Sequence, residues 1–194
     1  VRSGTSATGS SGGDGQIDVY LIPRGEVYCQ GICIPEAPLI GNKSSAYIHL
    51  LAGLSGKELA STLAHELFHA FQYAFDKSED HWWSEATAVW AEHYTDAAWN
   101  TEWEIIKHAF EMVDPESSLL SLMLDPKVHE LHDYSIYLLP LFLHQEHGEQ
   151  VIRFVWENCQ TQGSLDAIDR AVGFEDGALR GPRRSPESLG DVLA

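Results

Sequence analysis

The chain has 194 residues and a mass of 21.6 kDa, enough for one ordinary domain or two small ones and enough to bury roughly 70% of the unfolded surface without help from a disulfide or metal. Its 44% hydrophobic and 21% charged residues are those of a globular protein, which argues against a disordered, collagen-like or coiled-coil chain. A net charge of −17 repels phosphate backbones and anionic headgroups, so nucleic acid is not an expected partner, and no apolar run approaches the roughly 20 residues of a membrane span.

Residues 1–15 are mostly Gly, Ser, Thr, Ala and Asp, a composition that cannot offset its own ordering entropy and reads as a flexible Gly/Ser-rich arm. Val1-Arg2-Ser3-Gly4 offers neither an initiator Met nor an apolar signal region, so the chain reads as a mature or excised piece. Gln16 to Pro23 mixes alternation with β-branched residues and is expected as a first strand. A turn-rich loop is expected to about Lys43, followed by a second strand over Ser45 to Leu51. Within that loop Cys29 and Cys33 are close enough to pair, leaving Cys159 as a buried thiol; three reduced thiols are the alternative.

Ser55-Gly56-Lys57-Glu58 has the S-x-x-E form, in which side chains at positions one and four cap each other's backbone N–H groups at a helix start. Apolar residues then recur at three- and four-residue intervals (Leu59, Leu63, Phe68, Phe71), which predicts a helix over Gly56 to Phe75. Further helices are expected from Trp82 to Asn100 with Asp80 as N-cap, and from Glu102 to Val113 after a second capping box. After Pro115 three more are expected, at about Asp133 to His147, Glu149 to Gln160 and Ser164 to Val172, with Gly148 just past the first, Gly173 just past the third and Ser164 at the third start. Strands first and helices afterwards, without βαβ alternation, means an α+β fold. The expected division is an arm at 1–15, one domain at 16–176, and a loop at 177–194 that ends before a further segment.

Chemistry enters with His65-Glu66-Leu67-Phe68-His69, an H-E-x-x-H match inside a helix predicted on independent grounds. At about 100° per residue the imidazoles stand about 40° apart around the axis and one turn apart along it, so both can reach one ion. Glu66 lies beside the pair, where its carboxylate can contact a water in the open position of a metal, the place for a general base. With 10 His and 17 Glu among 194 residues, chance supplies about 0.04 such matches. A solvated histidine pair is the plainer reading, but the flanking face is apolar and two imidazoles and a carboxylate are costly to bury without a partner.

A catalytic zinc usually has three protein ligands plus water. The metzincin continuation is absent, since Gln72 stands where its Gly would be. The next candidates lie on the following helix, where the small residues Ala86, Ala88 and Ala91 allow close approach. Glu85 and Glu92 are about 10 Å apart along that axis, so only one can be the ligand. Glu85 is the expected one and Glu92 the alternative.

His-Glu-x-x-His followed by a helix with Trp-x-x-Glu-Ala-x-Ala resembles the gluzincins, the zinc peptidases typified by thermolysin and aminopeptidase N. More narrowly, His65 to Gln72 with Trp82 to Trp90 is similar to a poorly characterised group of secreted bacterial metallopeptidases. The likeness is concentrated in Thr62 to Glu92 and weaker in Gln16 to Leu21 and Asp133 to Gly173. It implies a zincin-like fold with a small N-terminal mixed sheet and a mainly helical C-terminal half, a Zn2+ held by His65, His69 and Glu85, Glu66 as general base, a peptide or protein substrate, and a secreted or cell-envelope location. The interval between His69 and Glu85 is shorter than in aminopeptidase N, which keeps Glu92 open as a substitute.

Gluzincins commonly place a Tyr or His from the helical half near the substrate carbonyl. Tyr134 is the first choice here and His132 the second, against the alternative of ordinary packed side chains. Trp82, Trp83, Trp90, Trp99 and Trp103 could form a ligand platform, but such spacing more often marks helix core. Two further functions stay open: a binding domain on a zincin scaffold without turnover, against which the intact Glu66 argues, and a zinc hydrolase of a non-peptide bond.

Overall fold

The computed structural model describes residues 16–26, 28–36, 41–54, 56–95, 133–134 and 136–173. The arm at 1–15, the expected helix over Glu102 to Val113, Trp99, Trp103, His132 and the 177–194 tail lie outside the described residues.

Three strands, β1 (Val19–Ile22), β2 (Gly31–Pro35) and β3 (Ala46–Leu51), form a mixed sheet in the order β1-β3-β2. β3 is central, parallel to β1 with Val19 opposite Ile48, and antiparallel to β2 with Cys33 opposite Ile48. Strand alternation turns Ile48 and Leu50 to the buried face. β2 corrects the expected loop between Pro23 and Lys43. Gly31 and Pro35 at its ends read as turn signals, yet an edge strand tolerates a terminal Pro whose missing N–H removes nothing from the ladder.

Five helices are seen among the described residues: α1 (Gly56–Tyr73), α2 (His81–Thr95), α3 (Leu138–His147), α4 (Gln150–Cys159) and α5 (Ser164–Val172). The architecture is therefore α+β, with a small mixed sheet followed by helices. No helix among the described residues is long and apolar enough to cross a membrane. Gly148 and Gly173 end α3 and α5 with φ of 83° and 81°, backbone values that a side chain disfavours and Gly adopts freely. Asp80 precedes α2 as expected, its carbonyl accepting the first helical N–H groups of Trp83 and Ser84, while its carboxylate accepts the Ser164 hydroxyl instead of capping α2. Asp133 and Tyr134 are helical where the expected helix opens, and α3 itself begins at Leu138. Pro140 cannot donate to an upstream carbonyl, so it is accommodated only in a first turn.

α1 lies between two apolar clusters. Leu59, Leu63, Ala70 and Tyr73 meet the sheet around Ile48 and Leu50, whereas Phe68, Phe71 and Phe75 meet a larger cluster built around Trp83, Leu143 and Trp156. Trp82, Trp83 and Trp90 are buried in that second cluster, which makes them core. The most buried stripe of α1 is nevertheless polar, comprising Ser61, Thr62, His65, Glu66, His69 and Gln72. Such a stripe is stable only if every member finds a partner. All three cysteines are free, Cys29 exposed and Cys33 and Cys159 buried; Cys33 faces inward from β2, so the Cys29–Cys33 pair is not formed.

Candidate metal centre

α1 and α2 pack side by side, and Ala86, Ala88 and Val89 of α2 are fully buried. Across this contact His65 Nε2 lies 3.2 Å from Glu85 Oε2, and His69 Nε2 lies 3.6 Å from Glu85 Oε1. One donor atom each from His65, His69 and Glu85 falls within 4.8 Å of the others, and all three residues are buried. The cluster could hold a metal ion. Its donor set of two imidazoles and one carboxylate suits a borderline divalent cation such as zinc.

Each imidazole is held from behind. His65 Nδ1 is 2.8 Å from Glu92 Oε1, and the Ser61 hydroxyl donates to the other oxygen of Glu92. Glu92, the alternative ligand, thus meets the Nδ1 edge of the His65 ring while Glu85 meets the Nε2 edge, a place from which a carboxylate orients a metal-binding imidazole and raises its basicity. His69 Nδ1 is 2.7 Å from the side-chain oxygen of Gln72. Both Nδ1 atoms are engaged, which leaves both Nε2 atoms turned to Glu85.

Glu66 lies between the cluster and β2, close enough to His65, His69 and Glu85 for each to act on its charge. Its carboxylate accepts the Cys33 backbone N–H, and its burial pushes its pKa up, with the rings of His65 and His69 pulling in the opposite sense. A methyl group at Gly31 would sit 2.6 Å from Thr62 Cγ2 and 2.8 Å from Glu66 Cγ. Glycine is what lets this edge strand lie against the Glu66 side chain. Gly31→Ala is therefore expected to cost about 1–3 kcal/mol by overpacking and to displace Glu66, read as a lower melting temperature; an unchanged melt would show that α1 is not seated on β2 in this way.

Tyr134 stacks on His65 with ring centroids 5.6 Å apart and an interplanar angle of 21°, and its hydroxyl donates to Glu85. Burial and then the Glu85 carboxylate raise its pKa. The first-choice tyrosine is thus beside the cluster, and Asp133 and Tyr134 are helical, in line with the expected helix start. Three neighbours were not picked out by sequence reasoning. Tyr73 stacks on His69 at 6.3 Å, with its pKa pushed up to about 12 by burial and then by Cys33, Glu85 and Glu66. Exposed His81 opens α2, with Nε2 3.4 Å from Glu85 Oε1 and Nδ1 2.7 Å from Asp133 Oδ2. Gln72 is the third. Its only signal was spacing, since a residue three positions after a histidine is its neighbour on a helix surface.

Charge follows from this geometry. Burial opposes a proton on His65, but Glu85 and Glu92 outweigh it and raise its pKa to about 10. Burial alone would raise the Glu85 carboxyl, yet His65 and His69 hold it well below the usual carboxylate range. In the metal-free protein the His65 contribution to stability is complete below the ordinary value of 6.5 and is lost as pH rises toward about 10. That of Glu85 is present above 4.5 and is lost on acidification. At pH 7 a metal must then expel the His65 proton, so calorimetry in two buffers of different ionisation enthalpy is expected to show about one proton released per zinc bound. Proton-independent binding would contradict the charged His65.

Comparisons with protein-family models, with curated proteins and with solved structures find no match to this chain, so the chemistry of the cluster is argued from its own residues.

Proposed function

We propose that this protein is a zinc-dependent hydrolase of the gluzincin type acting on peptide bonds. The observation that carries the reading is the double backing of the imidazoles: Glu92 and Gln72 occupy both Nδ1 atoms and leave two Nε2 atoms converging on the Glu85 carboxylate. An arrangement kept only for packing has no need of three converging donors in a buried place, where apolar residues would serve as well.

His65, His69 and Glu85 would hold the zinc, which when bound supplies a Lewis acid for a substrate carbonyl and lowers the pKa of a water. Glu66 takes the role of base. A carboxyl raised by burial lies closer to working pH and is better matched to accept a proton from water and pass it to the leaving amine. Tyr134 reaches the cluster through a hydroxyl that stays protonated and can donate to developing charge on the substrate oxygen. A secreted or cell-envelope location accompanies the proposal.

The test is elemental analysis of purified protein together with digestion of an unbiased peptide library by the zinc-loaded wild type and by Glu66→Gln. Cleavage by wild type alone supports the reading. Full zinc occupancy without cleavage would favour a binding domain, and turnover confined to non-peptide esters or amides would favour a different hydrolase.

A further inference from the structure

The side chain of Gln72 has no solvent exposure and makes three hydrogen bonds. Its amide nitrogen donates to the Ser84 carbonyl at 2.7 Å and to Thr87 Oγ1 at 3.0 Å, and its oxygen meets His69 Nδ1 at 2.7 Å. Thr87 Oγ1 also receives the indole N–H of Trp156 at 3.3 Å and donates its own proton to the Trp83 carbonyl at 2.7 Å.

Hydrogen-bond polarity runs one way through this set. A backbone carbonyl can only accept and an indole N–H can only donate, so the Ser84 carbonyl fixes the NH2 of the Gln72 amide toward α2. The Thr87 oxygen has spent its proton on a carbonyl and both lone pairs on Gln72 and Trp156. Reversing the amide would set the Gln72 oxygen against the Ser84 oxygen and leave a buried N–H facing His69. The Gln72 oxygen therefore accepts, and His69 Nδ1 must donate. His69 Nε2 sits 3.6 Å from Glu85 Oε1.

We infer that Gln72 is the positioning residue of the cluster: held by Ser84 and by Thr87, which Trp156 backs, it locks the His69 tautomer by holding its proton on Nδ1, with Nε2 turned toward Glu85. One side chain thereby orients a donor on α1 and grips the backbone of α2 at the residue preceding Glu85. The role of this lock in metal uptake rests on the zinc reading above, whereas the tautomer itself does not.

Two measurements test it. In metal-free wild type, long-range proton–nitrogen NMR of the histidine rings is expected to show a proton on His69 Nδ1; a His69 ring with a bare Nδ1 overturns the inference. Chelator competition with zinc is expected to show affinity lowered about 10- to 100-fold in Gln72→Leu, with a folded far-ultraviolet spectrum. Thr87→Val, which keeps the shape but removes the hydroxyl, is expected to weaken zinc binding as well, and Thr87→Ser to restore it, so the inference remains testable if Gln72→Leu does not fold. Affinities within twofold of wild type in Gln72→Leu or Thr87→Val overturn the positioning role. A wild type that takes up no zinc would sink the hydrolase reading and with it the role in metal uptake, while the nitrogen spectrum still decides the tautomer.

Discussion

Glu66→Gln is expected to abolish hydrolysis while leaving zinc content and melting temperature close to wild type. Glutamine keeps the size of the side chain and can still meet the Cys33 N–H through its amide oxygen, but it cannot take a proton from water. A general base contributes about 10² to 10⁴ in rate, and more where it also returns the proton to the leaving group. The loss is expected in kcat, with KM little changed, because the step removed is made in the transition state. Retention of more than about a tenth of wild-type turnover would show that Glu66 is not the base. Its raised pKa also sets the acid limb of the activity profile, which should fall where the carboxyl protonates and lie above the ordinary value of 4.5.

Removal of His65 should have the largest effect on the fold itself. The ring lies between Glu85 and Glu92, at 3.2 and 2.8 Å, and its loss leaves two buried carboxylates with neither metal nor imidazole between them. Breaking a buried pair from one side costs about 3–5 kcal/mol, so metal-free His65→Ala should melt far below metal-free wild type. His69→Ala removes a ligand without stranding a charge and is expected to be milder, near the 1–3 kcal/mol of an unsatisfied buried acceptor, here the Gln72 oxygen. Neither variant should gain the zinc-dependent rise of about 2.7 kcal/mol that a hundredfold excess over Kd gives a competent protein. Wild-type zinc content in His69→Ala would remove His69 as a ligand. Glu85→Gln is expected to lower zinc occupancy more than Glu92→Gln, and the reverse order would move the carboxylate ligand to Glu92.

Sequence reasoning was strongest where local rules decide. α1 and α2 follow from apolar spacing and caps, and the H-E-x-x-H geometry is a property of one helix, so His65, Glu66 and His69 could be placed together before any fold was known. The C-terminal glycines of α3 and α5 were legible because a positive φ has few chemical solutions. β2 was missed because its identity depends on Ile48 of β3 beside it, a partner that no local pattern names. For the same reason Glu92 could be offered only as a rival to Glu85: spacing along α2 said that both could not be ligands, while the edge of the His65 ring that each meets is set by how α1 and α2 cross. Gln72 shows the remaining gap. In sequence it is a glutamine at the end of an apolar helix, and only the donor-only indole of Trp156 and the acceptor-only carbonyl of Ser84 give its amide a direction.

The two-helix origin of the cluster bears on how it is assembled during folding. His65 and Glu85 are 20 residues apart, and the widest separation among their supports on α1 and α2 is the 31 residues between Ser61 and Glu92. Closing loops of this length carries a small entropy cost that grows only with the logarithm of length, and contacts so local form early in folding. The tie between Trp156 and Thr87, by contrast, spans 69 residues. Donor atoms, and the Ser84 carbonyl that directs the Gln72 amide, can thus meet in a helical hairpin before the C-terminal helices arrive, and docking of Trp156 then completes the bonds of Thr87. A folding intermediate with α1 and α2 paired and α4 undocked should bind zinc more weakly than the native protein, and the gain in affinity would then report docking of α4.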